Sequence, residues 1–146
     1  MKIDLTSAIR LTPGDLQQAQ AALRTLKTGT GAGSEFTGWT TLPQTTGTEE
    51  FRRICQLGKK LYEEADALIV IGIGGSYMGA RSAIELLKTP YHNQRKGNGP
   101  AIYFLGNGIC AEDIRTVLQL VEGTDYYVNV ISKSGTTLEP ALAFRV

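Results

Sequence analysis

Ser132, Lys133, Ser134, Gly135, Thr136 and Thr137 place four hydroxyls, one ammonium and one glycine in six consecutive residues. Such a set consists largely of hydrogen-bond donors, and a phosphate dianion is purely an acceptor. A solvated turn is the alternative reading of the same residues. A second candidate stands earlier, at Gly74, Gly75 and Ser76. There a glycine pair lets backbone approach a ligand closely, and Ser76 offers both its N–H and its hydroxyl at the start of a helix. Gly-Gly-Ser is equally at home in a tight strand-to-helix turn of no particular purpose. Hydroxyls bind an anion without a strong positive field, so the pair of loops predicts a small, singly phosphorylated ligand such as a sugar phosphate.

Nucleotide motifs do not fit these loops. A dinucleotide fingerprint over Gly72–Gly79 requires glycine at position 77, where Tyr77 stands. A P-loop over Gly74–Gly79 requires Lys and Ser/Thr next, where Ala80 and Arg81 stand. Glu139 falls in the first turn of a helix, where the dipole favours a carboxylate, so capping is preferred over an acid or base role. His92 lies in the polar stretch 91–99 with no neighbouring nucleophile or carboxylate, and reads as a loop residue. Cys55 and Cys110 form neither a CxxC nor a His/Cys cluster, so they read as core or surface thiols. The expectation is therefore no metal and no cofactor.

Each loop must be carried by a strand that ends where the loop begins. The apolar run 67–73 (ALIVIGI) leads into Gly74, and the run 126–131 (YYVNVI) leads into Ser132. Between them the pattern predicts a helix over about 77–88, a strand over 101–105 and a helix over 111–121; another helix opens near Leu138. Strands that are continuously apolar point to an α/β fold with a doubly wound parallel sheet. The flavodoxin-like order 2-1-3 makes the first and third strands neighbours, so both loops face one crevice at the switch point.

Upstream, Thr12 reads as an N-cap with Pro13 at the first helical position, followed by the stripe Leu16, Ala19, Leu23 and Leu26. Residues 28–34 (TGTGAGS) read as a flexible connection. Phe36, Trp39, Leu42 and Pro43 are expected to pin the segment after it to the main body. Thr48 caps a helix carrying Phe51, Ile54, Leu57 and Leu61. The chain is thus divided into an N-terminal helix and extended docking segment, 1–47, and the first half of a sugar-phosphate-binding domain, 48–146.

With 146 residues, 42% hydrophobic and 20% charged, one globular domain is the prior. Fifteen Lys and Arg against 14 Asp and Glu provide no electrostatic reason to expect nucleic acid or an anionic membrane. The first fifteen residues lack a signal-peptide pattern and no apolar run spans a bilayer, so a cytoplasmic location is expected. Residues 138–146 stay apolar to the last position without a helix stop, and three strands with an open edge are few for a parallel sheet. More sheet is expected after Val146, leaving the fold incomplete at its C-terminus.

Three stretches carry a resemblance: Gly38-Trp39 with Leu42-Pro43, residues 71–81 (IGIGGSYMGAR) and residues 131–140 (ISKSGTTLEP). From about residue 36 onward the chain resembles the N-terminal part of the bacterial glucose-6-phosphate isomerase family, within the sugar isomerase (SIS) superfamily. The resemblance implies reversible aldose–ketose isomerisation of glucose 6-phosphate and fructose 6-phosphate, in glycolysis and gluconeogenesis. It implies that Ser76, Ser132, Ser134, Thr136 and Thr137, with backbone around Lys133 and Gly135, hold the 6-phosphate. The family's glutamate base and its assisting histidine, lysine and arginine are expected beyond Val146, so this chain is expected to be inactive alone. A homodimer is implied for the full-length enzyme. The alternatives are another SIS-type sugar-phosphate isomerase, a non-catalytic sugar-phosphate sensor, or a structural fragment with a vacant crevice.

Overall fold

The computed structural model describes residues 11–45, 47–95, 97 and 99–146. Residues 1–10, which include most of the stretch read for a signal peptide, lie outside them. The chain divides into two compact units, Met1–Arg52 and Arg53–Val146.

In the first unit, helix α1 spans Pro13–Thr28. Thr12 caps it as its residue type requires: the Thr12 Oγ1 accepts from the Asp15 N–H at 3.2 Å, and the Asp15 carboxylate accepts from the Thr12 N–H at 2.8 Å. Gly29, with φ 63°, ends the helix, and N–H groups of Gly29 and Thr30 bond the carbonyls of Leu26 and Thr25. The stripe Leu16 and Leu23 is half exposed. The segment expected to be extended folds instead into three 3-10 turns, Ser34–Phe36, Gly38–Thr40 and Leu42–Thr45. Thr37, Thr40 and Thr41 each turn a hydroxyl back onto a carbonyl three residues earlier, which favours a turn over an extended chain. Phe36, Trp39 and Leu42, assigned the task of pinning this segment, are exposed.

Asp15 provides a pH test of this cap. The Thr12 hydroxyl and then the Thr12 N–H donate to its carboxylate and hold its pKa below the ordinary carboxylate range. A depressed folded-state pKa means the interaction is fully present above the unfolded value and is lost as pH falls through the folded one. Thr12→Val is expected to return the Asp15 midpoint toward the ordinary value in a carbon-detected NMR titration. Equal midpoints in the two proteins would refute the assignment.

The second unit is built on β1 (Ala67–Ile71), β2 (Ala101–Leu105) and β3 (Tyr126–Val130), parallel throughout and ordered β2-β1-β3. Register runs Ala67, Ala101 and Tyr126 at one end to Ile71, Leu105 and Val130 at the other. Helices α3 (Gly75–Lys88), α4 (Ala111–Val121) and α5 (Leu138–Arg145) follow the strands, and α2 (Glu49–Glu64) precedes β1. The core on one face gathers Ala67, Ile69 and Ile71 of β1 with Leu105, Val121 and Ala143. On the other face α3 packs through Tyr77 and Arg81 onto Phe104, the ring and the guanidinium each 5.6 Å from its centroid. The sheet is thus doubly wound, as its apolar strands require, and open.

The central strand is buried on both faces, whereas every residue of β3 is exposed. The outer edge of β2 is covered by a side chain: Asn93 donates to the Ile102 carbonyl at 2.9 Å and accepts from its N–H at 2.8 Å, as a neighbouring strand would. His92, read as a loop residue, is buried in the short turn beside it, with Nδ1 3.1 Å from the Thr89 carbonyl. Cys55 and Cys110 are exposed free thiols. Among the described residues no helix is long and apolar enough to cross a membrane.

Candidate functional site: two anion-type corners at one end of the sheet

β1 and β3 are parallel neighbours, so the loops that follow them leave from the same end of the sheet. The ladder continues one step beyond the strands: the Ile131 N–H donates to the Ile71 carbonyl and the Gly72 N–H to the Leu105 carbonyl, both at 2.9 Å. Gly72 is the wall the two corners share. A β-carbon there would lie 3.2 Å from the Ser76 Cβ and 3.5 Å from the Ile131 carbonyl oxygen.

The first corner turns at Gly74, whose φ of 54° and ψ of −128° belong to a region that side chains other than hydrogen avoid. This turn explains why β1 ends at Ile71, two residues short of its apolar run, and why α3 begins at Gly75 rather than near 77. The Ser76 N–H donates to the Ile73 carbonyl at 3.1 Å, so only the hydroxyl of Ser76 remains for a ligand. This corrects the expectation that both groups are available: the tight turn consumes the N–H. The Gly75 N–H has no acceptor among the described residues, and it stands at the positive end of α3.

In the second corner the hydroxyls organise one another. The Ser132 Oγ accepts from the Gly135 N–H at 3.0 Å. The Ser134 Oγ accepts from the Thr136 N–H at 3.2 Å and from the Thr136 hydroxyl at 3.1 Å. Ser134 Oγ thus has both lone pairs engaged and Ser132 Oγ has one, which leaves each hydroxyl proton for Thr137 or for a group outside the loop. Thr137 Oγ1 lies 3.5 Å from Ser132 Oγ and 3.4 Å from Ser134 Oγ, at the outer limit of hydrogen bonding. The Thr136 proton is committed to Ser134, so Thr136 shapes the loop. Lys133 is exposed, with no ion-pair partner among the described residues.

The corners rest on a buried base. Gly72, Gly106 and Pro140 are buried, while Gly74, Gly75, Lys133, Ser134, Gly135 and Thr136 are exposed around them. Ser76, Ser132, Thr137 and Glu139 are half-buried. Glu139 sits in the first turn of α5, as a dipole-facing carboxylate should. The geometry is that of an exposed, donor-rich rim on a rigid floor, suited to holding an oxyanion. Gly106 escaped the sequence reading, and Pro140 stood there only as the end of the stretch 131–140; the run Leu105-Gly106-Asn107-Gly108 carries a turn signal that marks the corner after β2 but not what it touches.

No family model matches the chain. Among curated proteins, the glucose-6-phosphate isomerase of Acetivibrio thermocellus is 53% identical over 120 residues, covering 80% of this chain and 27% of that enzyme. The enzyme of the same name from Alkaliphilus metalliredigens is 47% identical over 133 residues, 89% of this chain and 30% of its own. That of Enterococcus faecalis is 46% identical over 132 residues, 88% and 29% respectively. The chain spans less than a third of the length of the curated relatives it matches. Along most of its own length, this chain is a sequence relative of the glucose-6-phosphate isomerases, as its Gly-Gly-Ser and Ser-Lys-Ser-Gly-Thr-Thr corners indicated.

Proposed function

We propose that the two corners hold the phosphate of a hexose 6-phosphate, and that the chain supplies this part of an enzyme interconverting glucose 6-phosphate and fructose 6-phosphate in glycolysis and gluconeogenesis. One observation carries the reading above all. The Ser132 and Ser134 oxygens accept from their own loop, which leaves their protons for Thr137 Oγ1 or for a ligand, beside a Lys133 that has no ion-pair partner among the described residues. Across Gly72, the Ser76 hydroxyl and the Gly75 N–H complete the donor set. The names of the relatives supply the hexose phosphate and the reaction.

Phosphate binding of this kind contributes remote binding energy, whereas isomerisation needs a base to move a proton between C2 and C1. Around the corners Glu139 is the sole carboxylate of the two loops and the first turns of α3 and α5, and the helix dipole employs it. The 146-residue chain is therefore a binding module without turnover. The enzyme it belongs to works in the cytoplasm as a homodimer, without nucleic acid or membrane as partners and with no metal or cofactor.

Calorimetric titration tests the binding. Glucose 6-phosphate and inorganic phosphate are both expected to bind, glucose not at all. Binding of glucose equal to that of its phosphate would overturn the reading. In a coupled assay the purified chain is expected to show no isomerisation; turnover of about 10 per second or more would overturn the division of labour.

A further inference from the structure

The corner after β2 belongs to neither anion-type loop, yet it touches both of their supports. Gly106 has φ 81° and is buried. A β-carbon on it would lie 2.9 Å from Ile71 Cγ2, 3.2 Å from the Gly72 nitrogen and 3.2 Å from the Pro140 Cα. Two of these three neighbours are backbone, so they cannot rotate away. Gly72 is the floor of the first corner, and its N–H is held by Leu105, the residue before Gly106. Pro140 is fully buried in the first turn of α5, and α5 carries the second corner at its N-terminus. The missing side chain at 106 thus lets the start of α5 close down on the end of β1.

We infer that Gly106 is a positioning residue for the phosphate site: the absence of its β-carbon sets the spacing between the Gly74–Ser76 corner and the Ser132–Thr137 corner. The inference rests on the phosphate reading above for its ligand, though not for its geometry. A phosphate with three oxygens to satisfy tolerates little change in the separation of donors on opposite sides, because hydrogen bonds weaken steeply with distance and angle. Gly106→Ala pushes Pro140, and with it the Ser132–Thr137 loop, away from Gly72. It also strains the backbone, as any side chain does at positive φ.

Gly123 separates the two effects. It has φ 74° in the turn that enters β3 at the other end of the sheet, and a β-carbon there meets nothing within 4 Å. Gly123→Ala therefore carries the backbone strain alone. The experiment compares the wild-type chain, Gly106→Ala and Gly123→Ala for melting temperature, for inorganic phosphate affinity by titration, and for the amide resonances of residues 132–137 without ligand. Both variants are expected to melt earlier. Only Gly106→Ala is expected to bind phosphate roughly tenfold or more weakly, on the scale of one compromised hydrogen bond to a charged group, and to shift the ligand-free resonances. Gly106→Asn, which tolerates positive φ yet keeps a β-carbon, is the second variant should the alanine protein fail to fold, and is expected to behave alike.

Unchanged resonances and affinity in a folded position-106 variant would overturn the inference. An equal loss of affinity in Gly123→Ala would also overturn it, since strain alone would then suffice. A wild-type chain that ignores phosphate, while Gly106→Ala still shifts the loop resonances, would overturn the phosphate reading and leave the positioning role standing.

Discussion

Replacing both Ser132 and Ser134 by alanine is expected to weaken phosphate and hexose 6-phosphate binding by roughly two orders of magnitude or more. Each hydroxyl does two things at once. Its oxygen accepts from the loop, fixing the Gly135 and Thr136 N–H groups, and its proton goes to the ligand in the proposed site, since the competing acceptor, Thr137 Oγ1, stands at the outer limit of hydrogen bonding, 3.5 and 3.4 Å away. A hydrogen bond to a charged group is worth about 1.5–3 kcal/mol. Two of them therefore amount to about 3–6 kcal/mol before any reorganisation of the loop. The variant should keep the wild-type circular dichroism spectrum, because the loop is exposed and the core lies beneath it. Titration calorimetry reads the result. A double variant that binds within threefold of wild type would place the phosphate elsewhere.

Ile69→Ala is expected to lower stability by about 2–5 kcal/mol, a large share of what the fold holds, and to bring its urea midpoint far below that of the wild-type chain. Ile69 is the middle residue of the central strand, opposite Tyr103 and Val128, and is only 3% exposed. Truncating a buried isoleucine costs about 2–5 kcal/mol, through lost transfer energy and the cavity left behind. Small domains hold about 5–15 kcal/mol in total, and a sheet whose edge strand β3 is exposed along its whole length sits low in that range. Ile54→Ala is the comparison: Ile54 on α2 is 60% exposed, and its loss should change stability by about 0.5 kcal/mol or less. Urea denaturation of both variants checks the contrast. Equal midpoints would mean that the core on the β1 face is not what holds the sheet.

Much of the frame was legible in the residues. β2 and α4 fall where the pattern placed them, at 101–105 and 111–121, because short apolar runs between turn residues carry their own boundaries. Continuous apolar strands pointed to a doubly wound parallel sheet, and the flavodoxin-like order 2-1-3 expected with it is the order observed. Thr12 with Pro13 announced α1, since capping is local chemistry. The segment 34–45 was misjudged as extended because its threonines bend the chain through bonds to nearby carbonyls, and spacing of apolar residues does not register such bonds.

The amino-acid sequence by itself determined which residue types stand at the two corners, and that strands run into them. Hydroxyls, glycines and a lysine are countable without coordinates. The tertiary structure alone decided which donors remain for a ligand and how far apart they stand. The Ser76 N–H is spent on Ile73, the Thr136 proton on Ser134, and the closeness of the corners depends on Gly106 beneath Pro140, 34 residues away along the chain. Hydrogen-bond commitments and steric clearances depend on atoms brought together from distant segments. Local pattern contains no term for them.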